Sequence, residues 1–267
     1  MFSAWCTKHK LCPLPATAAT IAAFLAEEQS RVKPATLKRR LCGIRKVHRL
    51  TGHPDPTDGE DVILAIRRAR RAQPNRPGQA LGVTATTRDK LLAACGDTLI
   101  GLRDKVMVSV GFDTLCRGGE LVSLSVDDLT RNGNGRFEVL VRRAKNDPEG
   151  AGRSCKLSAR SSGIVDQWLE ATGITRGPLL RPVYGSHALA LHLSRLTVTR
   201  VLKKLAKGAG LDWPSVHQVS SHSLRIGAAQ QLTIDGVGML AIMRVGGWRS
   251  ISVVARYIEN ADLDVWG

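Results

Sequence analysis

The chain is short of aromatic side chains, of acidic ones and of patterned cysteines. Phe, Trp and Tyr supply 4% of its 267 residues. That is too thin for a base-stacking platform of the kind that carries single-stranded nucleic acid. The six cysteines (Cys6, Cys12, Cys42, Cys95, Cys116, Cys155) form no Cys-x-x-Cys and no paired Cys/His spacing. A disulfide framework and a zinc site are therefore unsupported, and a reducing cytoplasmic setting is expected. No apolar run is long enough to span a bilayer, and no signal peptide is expected. Acidic residues number 23 against 39 Lys plus Arg, a formal net charge of +16. Such an excess suits a polyanion, with nucleic acid ahead of an acidic membrane surface. Taken with the scarcity of aromatics, it favours a duplex.

What is present is mostly helical periodicity. Residues 17–28 carry Ile21, Phe24 and Leu25 on one face. Pro34 suits the first turn of a second helix, whose apolar stripe reads Leu37, Leu41, Ile44 and Val47. Residues 61–71 place Val62, Leu64, Ala65 and Ile66 inward and Arg67, Arg68, Arg70 and Arg71 outward. Pro74-Asn75-Arg76-Pro77-Gly78 breaks the pattern. A linker is therefore expected at 75–82, between a front domain at 1–74 and a second domain at 83–267. Helical spacing returns at 87–95, 102–114, 164–170, 194–209, 223–235, 237–245 and 251–258. Phe137, Val139 and Val141 alternate, and after Asn146-Asp147-Pro148-Glu149-Gly150 the run 154–157 returns, which reads as a hairpin. The expected fold is mainly α: a helical front domain, then a mostly helical domain with a small antiparallel sheet.

Chemistry-bearing residues gather in the second domain. Arg117 and Glu120 stand three apart at a helix start, so their side chains share a face. A planar guanidinium can fork a phosphate, although the same pair is equally read as a surface ion pair. His222 and Arg225 share the same spacing, with Ser220 or Ser221 as the expected N-cap, and a helix start attracts anions. Lys145 opens the hairpin turn, where an ammonium could protonate a departing 5′ oxygen; alone it reads as a solvated turn lysine. Trp248 follows two glycines and carries an indole N–H that needs a partner when buried. Tyr257 and Tyr184 are the only tyrosines. A phenol loses its proton near pH 10, so a nucleophilic tyrosine needs surrounding cations or a base such as His222. No Gly-x-Ser-x-Gly elbow pairs with His222, which argues against a serine hydrolase. Together these groups supply what in-line attack on a phosphodiester requires without a metal.

The ordered set His222-Ser223-Leu224-Arg225, Gly246-Gly247-Trp248 and Tyr257-Ile258, preceded by Arg117 and the Lys145 hairpin, resembles the tyrosine recombinase (phage integrase) family. The likeness is strongest over 222–262 and weaker in the front domain. It implies a core-binding, SAM-like helical front domain and a recombinase catalytic domain. It implies site-specific cutting and rejoining of duplex DNA through a 3′-phosphotyrosyl bond on Tyr257, with no cofactor, metal or ATP. Arg117, His222, Arg225 and Trp248 would cradle the scissile phosphate, with Glu120 as accessory carboxylate and Lys145 as general acid. Most members have His where Trp248 stands; a subgroup has Trp. Lys38, Arg39, Arg45, Arg195 and Arg200 would face DNA, chiefly its phosphates, with Arg195 a reader of guanine. A homotetramer on paired sites and a monomer when free would follow, in a bacterial, phage or mobile-element setting close to the nucleoid. Measured against the family, a first helix is expected to be absent, and 258–267 is shorter than the usual tail. Both differences bear on assembly rather than on cleavage. Two other outcomes share parts of this pattern: a type IB topoisomerase, and a DNA-binding relative that acts by occupancy alone.

Overall fold

Hydroxyl caps start several of the helices. Thr17 accepts from the Thr20 amide at 3.1 Å ahead of α2 (Ala18–Glu28), Thr98 from Gly101 at 3.1 Å ahead of α6 (Leu99–Asp113), and Ser194 from Thr197 at 3.1 Å ahead of α9 (Arg195–Gly208). Each satisfies one of the orphan amides of a first helical turn. The computed structural model describes residues 1–73, 78–142 and 152–263. It divides into two compact units, Met1–Gly78 and Gln79–Gly267.

The first unit holds α1 (Phe2–Lys8), α2, α3 (Pro34–Leu50) and α4 (Glu60–Ala72). Ile21, Phe24, Leu25, Leu37, Ile44, Val62 and Ala69 form its core. The helix α1 lies ahead of the first one that periodicity predicts. Its Phe2 and Trp5 rings pack edge-on against Phe24 at 5.2 and 5.4 Å. One member of the expected α3 stripe is misplaced: Val47 is 50% exposed, and His48 is buried in its stead. Eleven residues from Leu37 make about three turns, which returns His48 to the stripe and leaves Val47 most of a right angle away. The His48 ring accepts from the Ala16 amide at 2.9 Å and lies 2.9 Å from the Ile44 carbonyl, fastening the approach to α2.

The second unit is built around α6, which is buried on nearly every side: Val106, Met107, Val108, Val110 and Phe112 all lie in the interior. The buried Arg103 and Asp104 pair with each other at 2.7 Å, and apolar residues run all round the helix, which must therefore be enclosed. It is packed by α5 (Ala85–Ala93), α8 (Ala159–Thr172) and α11 (Ser223–Ile234). A three-stranded antiparallel sheet runs β1 (Leu129–Arg131), β2 (Phe137–Val141), β3 (Arg153–Lys156). Phe137, Val139 and Val141 point inward, as their alternation predicts. The strand β1 was not expected. Asn132 builds the β1–β2 turn by accepting from the amides of Asn134 and Arg136, both at 3.1 Å. The segment containing Lys145 lies outside the described residues. The remaining helices are α7 (Gly118–Ser123), α10 (Trp213–Gln218), α12 (Met239–Gly246) and α13 (Ile251–Ile258), with a short β4–β5 pair at Val183–Tyr184 and His187–Ala188. Among the described residues no helix is long and apolar enough to cross a membrane.

Candidate active site

Arg117 is the N-cap of α7, reached from α6 through Leu115, a non-glycine residue at φ +50°. The Arg117 backbone amide donates to Glu120 Oε2 at 3.1 Å, and its guanidinium Nη1 donates to Oε1 at 2.5 Å. Glu120 is buried, so this is not the exposed ion pair that the spacing alone allows. Burial lifts the Glu120 carboxyl, but the hydrogen bond from Arg117 and the Arg153 charge outweigh it and hold the group below its ordinary value.

The chain then returns on α11. His222 is itself the N-cap, contrary to the expected serine cap, because its backbone turns before the helix begins. Ser220 supports it from outside: its hydroxyl accepts from the His222 amide at 3.1 Å, and its amide donates to Ser223 Oγ at 2.9 Å. Reduced hydration lowers the His222 pKa, as do Arg225, Arg117 and Arg195 nearby. The imidazole is thus held neutral in an electropositive corner. A Cβ at Gly227, one turn on, would fall 1.9 Å from the Val83 carbonyl oxygen, so glycine there lets α11 lie directly on the 82–84 backbone.

Arg225 is 0% exposed. Its Nη1 donates to the Leu115 carbonyl, while Nε and Nη2 are buried with no partner. The Trp248 ring stacks 3.9 Å from its guanidinium carbon and the Tyr257 ring lies 5.4 Å away. The two rings meet each other at 4.9 Å. Desolvation, then the Arg117 charge, lower the Arg225 pKa. Trp248 Nε1 is also buried without a partner, as is Arg153 Nη1. An unsatisfied buried donor costs about 1–3 kcal/mol, and more when charged. Open donors on a stacked arginine and tryptophan, among cations, are complementary to an anion with several oxygens.

Two glycines seat the tryptophan for different reasons. Gly247 ends α12 in a left-handed conformation, φ +65°, and turns the chain. Gly246 is where the indole lies, since a Cβ there would stand 1.9 Å from the ring.

Six of the residues expected from sequence thus fall in one region of the second unit. Arg117 and Glu120 are paired; Arg225, Trp248 and Tyr257 are stacked; His222 stands among their charges. Arg195 opens α9 beside them, its Cγ 3.4 Å from where a Gly118 Cβ would be. Arg200 is exposed on α9, and Lys38 and Arg39 are exposed on α3 of the first unit. Arg45 is different: its guanidinium is engaged by Asp55 at 2.8 Å and Asp58 at 2.7 Å, and by Thr57. It holds the 55–58 loop, with its side chain still 40% exposed. Arg153 was missed altogether. It is a single arginine on a strand, with no local pattern to mark it. Cys116 adjoins Arg117, yet burial pushes its thiol up to about 12, so it stays protonated and is no nucleophile at neutral pH. Among the described residues no group of His, Cys, Asp and Glu is placed to hold a metal ion.

Residues 83–263 match the phage integrase family. The recombinase Cre of Escherichia phage P1 is 28% identical over 278 residues, covering 98% of this chain and 81% of that protein. An integrase/recombinase XerD homolog of Selenomonas ruminantium is 31% identical over 277 residues, covering 98% and 79%. Among solved structures, a lambda integrase dimer bound to a COC′ core site aligns with a TM-score of 0.64 at 18% identity, over 93% of this chain and 81% of that one. The XerH recombinase in a post-cleavage complex with its difH substrate aligns at 0.62 and 15% identity, over 92% and 69%. The chain belongs to the phage integrase family and is a site-specific tyrosine recombinase, an enzyme that breaks and rejoins DNA.

Proposed function

We propose that Tyr257 is the nucleophile. Its phenolic oxygen attacks a backbone phosphorus of duplex DNA, forming a 3′-phosphotyrosyl bond as the 5′ oxygen leaves with a proton from Lys145. Attack of the freed 5′ hydroxyl on that bond releases the tyrosine and rejoins a strand. Arg225, Arg117 and the Trp248 N–H hold the non-bridging oxygens, and neutral His222 is available to accept the phenolic proton. Glu120 fixes the Arg117 fork. The observation that carries this reading is the set of unpartnered buried donors, Arg225 Nε and Nη2 with Trp248 Nε1, on two stacked side chains that both adjoin the Tyr257 ring. Cations and indole donors suit a phosphate and repel a metal ion.

Arg225 is fully buried, with the Trp248 ring at 3.9 Å and the Tyr257 ring at 5.4 Å, so phosphate reaches Nε and Nη2 only when the local packing opens. The first unit is read as a core-binding domain at 1–74, joined through 75–82 to a catalytic domain at 83–267. Lys38 and Arg39 from the one, and Arg195 and Arg200 from the other, would contact phosphates. Recombination between paired sites calls for a tetramer on DNA in the cytoplasm. A suicide duplex nicked beside the cleavage point should trap a denaturant-resistant protein–DNA adduct. Equal trapping by Tyr257→Phe would refute the assignment. Duplex binding without any adduct from the wild type would favour action by occupancy alone.

A further inference from the structure

Arg153 joins parts of the site that are far apart in sequence. It stands on β3 opposite Val141, with its side chain 10% exposed. Its Nε donates to the Val245 carbonyl at 2.8 Å. Its Nη2 lies 3.1 Å from Glu120 Oε2, 3.3 Å from the Thr114 carbonyl and 3.5 Å from Cys116 Sγ. Its Cδ packs 3.3 Å from where a Cβ on Gly247 would be. One guanidinium therefore ties three backbone segments: β3, the 114–117 turn that delivers Arg117, and the α12 end that delivers Trp248.

Glu120 has two oxygens to satisfy in a buried place. Oε1 takes the Arg117 guanidinium; Oε2 takes the Arg117 amide and Arg153. With Arg153 removed, Oε2 keeps only the amide, and the carboxylate is free to rotate and take the Arg117 fork with it. The Val245–Gly247 turn would lose the donor that closes it just ahead of Trp248. Lysine cannot substitute fully. An ammonium donates from one point, whereas the planar fork reaches the Val245 carbonyl and the Glu120 carboxylate together.

We propose that Arg153 is a positioning residue for strand cleavage, orienting Arg117 through Glu120 and seating Trp248 through the end of α12, given the phosphate-holding roles of Arg117 and Trp248. It touches no reacting atom; it decides where the donors that do so are held. Displacing a reacting group by about 1 Å is enough to cost about 10²-fold in rate.

The test compares wild type with Arg153→Gln, Arg153→Lys, Glu120→Gln and the Arg153→Gln/Glu120→Gln double variant, each verified as folded by thermal melt. The main readout is single-turnover adduct formation at saturating suicide duplex, with duplex affinity measured alongside. Arg153→Gln should slow adduct formation by about 10²-fold with affinity little changed. Arg153→Lys should recover part of the loss. The double variant should be less impaired than the product of the two single losses, because both act on one carboxylate. In a carbon-detected titration, the Glu120 carboxyl of Arg153→Gln should take up its proton at higher pH than in the wild type. Should Arg153→Gln fail to fold, the same cycle with Arg153→Lys decides the matter. Undiminished cleavage by Arg153→Gln, fully multiplicative losses or an unmoved Glu120 titration would each overturn the positioning role alone. A wild type that forms no adduct would overturn the cleavage reading and this role together.

Discussion

Replacing Gly246 by alanine sets two physical effects against each other. By helix propensity alone the change is favourable, since alanine exceeds glycine by about 1 kcal/mol in a helix interior. Packing reverses the sign. The added Cβ would stand 1.9 Å from Trp248 Cζ3, 2.1 Å from Cε3 and 2.7 Å from Cη2. These atoms are not the free end of a flexible side chain. The indole is held with the Arg225 guanidinium 3.9 Å from its ring and Tyr257 at 4.9 Å, so it cannot step aside at little cost. Overpacking of this kind costs about 1–3 kcal/mol, and expulsion of a buried tryptophan about 3–5 kcal/mol. Either outcome exceeds the propensity gain at its upper end. For a domain of this size each kcal/mol moves the melting temperature by about 2–4 °C. Gly163 on α8 is the control: a Cβ there meets nothing within 4 Å. Gly163→Ala should stabilise by about 0.5–1 kcal/mol through loss of chain entropy in the unfolded state. Differential scanning calorimetry of both variants, with adduct trapping alongside, gives the comparison. If Gly246→Ala melted at or above wild type and trapped as fast, the close seating of Trp248 would be wrong.

Trp248→Phe keeps an aromatic ring on Arg225 but removes the unpartnered N–H; adduct formation should fall about tenfold or more while the melting temperature changes little, as kinetics and calorimetry would show. His222 carries a lowered pKa, so the unfolded chain takes up a proton that the folded one resists. Its contribution therefore erodes stability as pH falls through the unfolded value of about 6.5 and stops growing below the folded pKa. Arg117→Gln removes one of the cations responsible, and proton NMR titration assigned with His222→Gln should find the imidazole pKa higher than in wild type. Lys38→Ala should weaken duplex binding for any sequence and reduce the salt slope of log Kd by about 1, measurable by anisotropy across a salt series.

Local signals account for much of the fold. Apolar spacing, with hydroxyl caps on α2 and α9, places the helices α2, α4, α9 and α13 within a residue or two of their ends, because a cap and a stripe act within a few turns. The helix α1 escapes such a reading. It has seven residues, too few to persist alone, and its Phe2 and Trp5 are held by Phe24 on α2. The strand β1 has three residues and no alternation to betray it; its pairing with β2 defines it. Hydrophobicity marks Val47 for the α3 stripe, whereas helical phase marks His48, and the fold follows phase. The two ring nitrogens of His48 find an amide and a carbonyl inside the core, which is what lets an imidazole be buried there.

For the site, the chain itself determined the reagents and their pairwise spacing. Arg117 meets Glu120, and His222 lies within electrostatic reach of Arg225, because three residues along a helix is a neighbour distance. The glycines before Trp248 and the scarcity of other tyrosines were equally readable. Tertiary structure alone decided that Arg225 is roofed by two aromatic rings, that its Nε and Nη2 are left without partners, and that Arg153 reaches Glu120, Thr114 and Val245 across 33, 39 and 92 residues. Periodicity reports on neighbours a few residues apart. Burial and the completion of hydrogen bonds depend on which distant segments come to rest against a side chain, and only the packed fold brings those segments there.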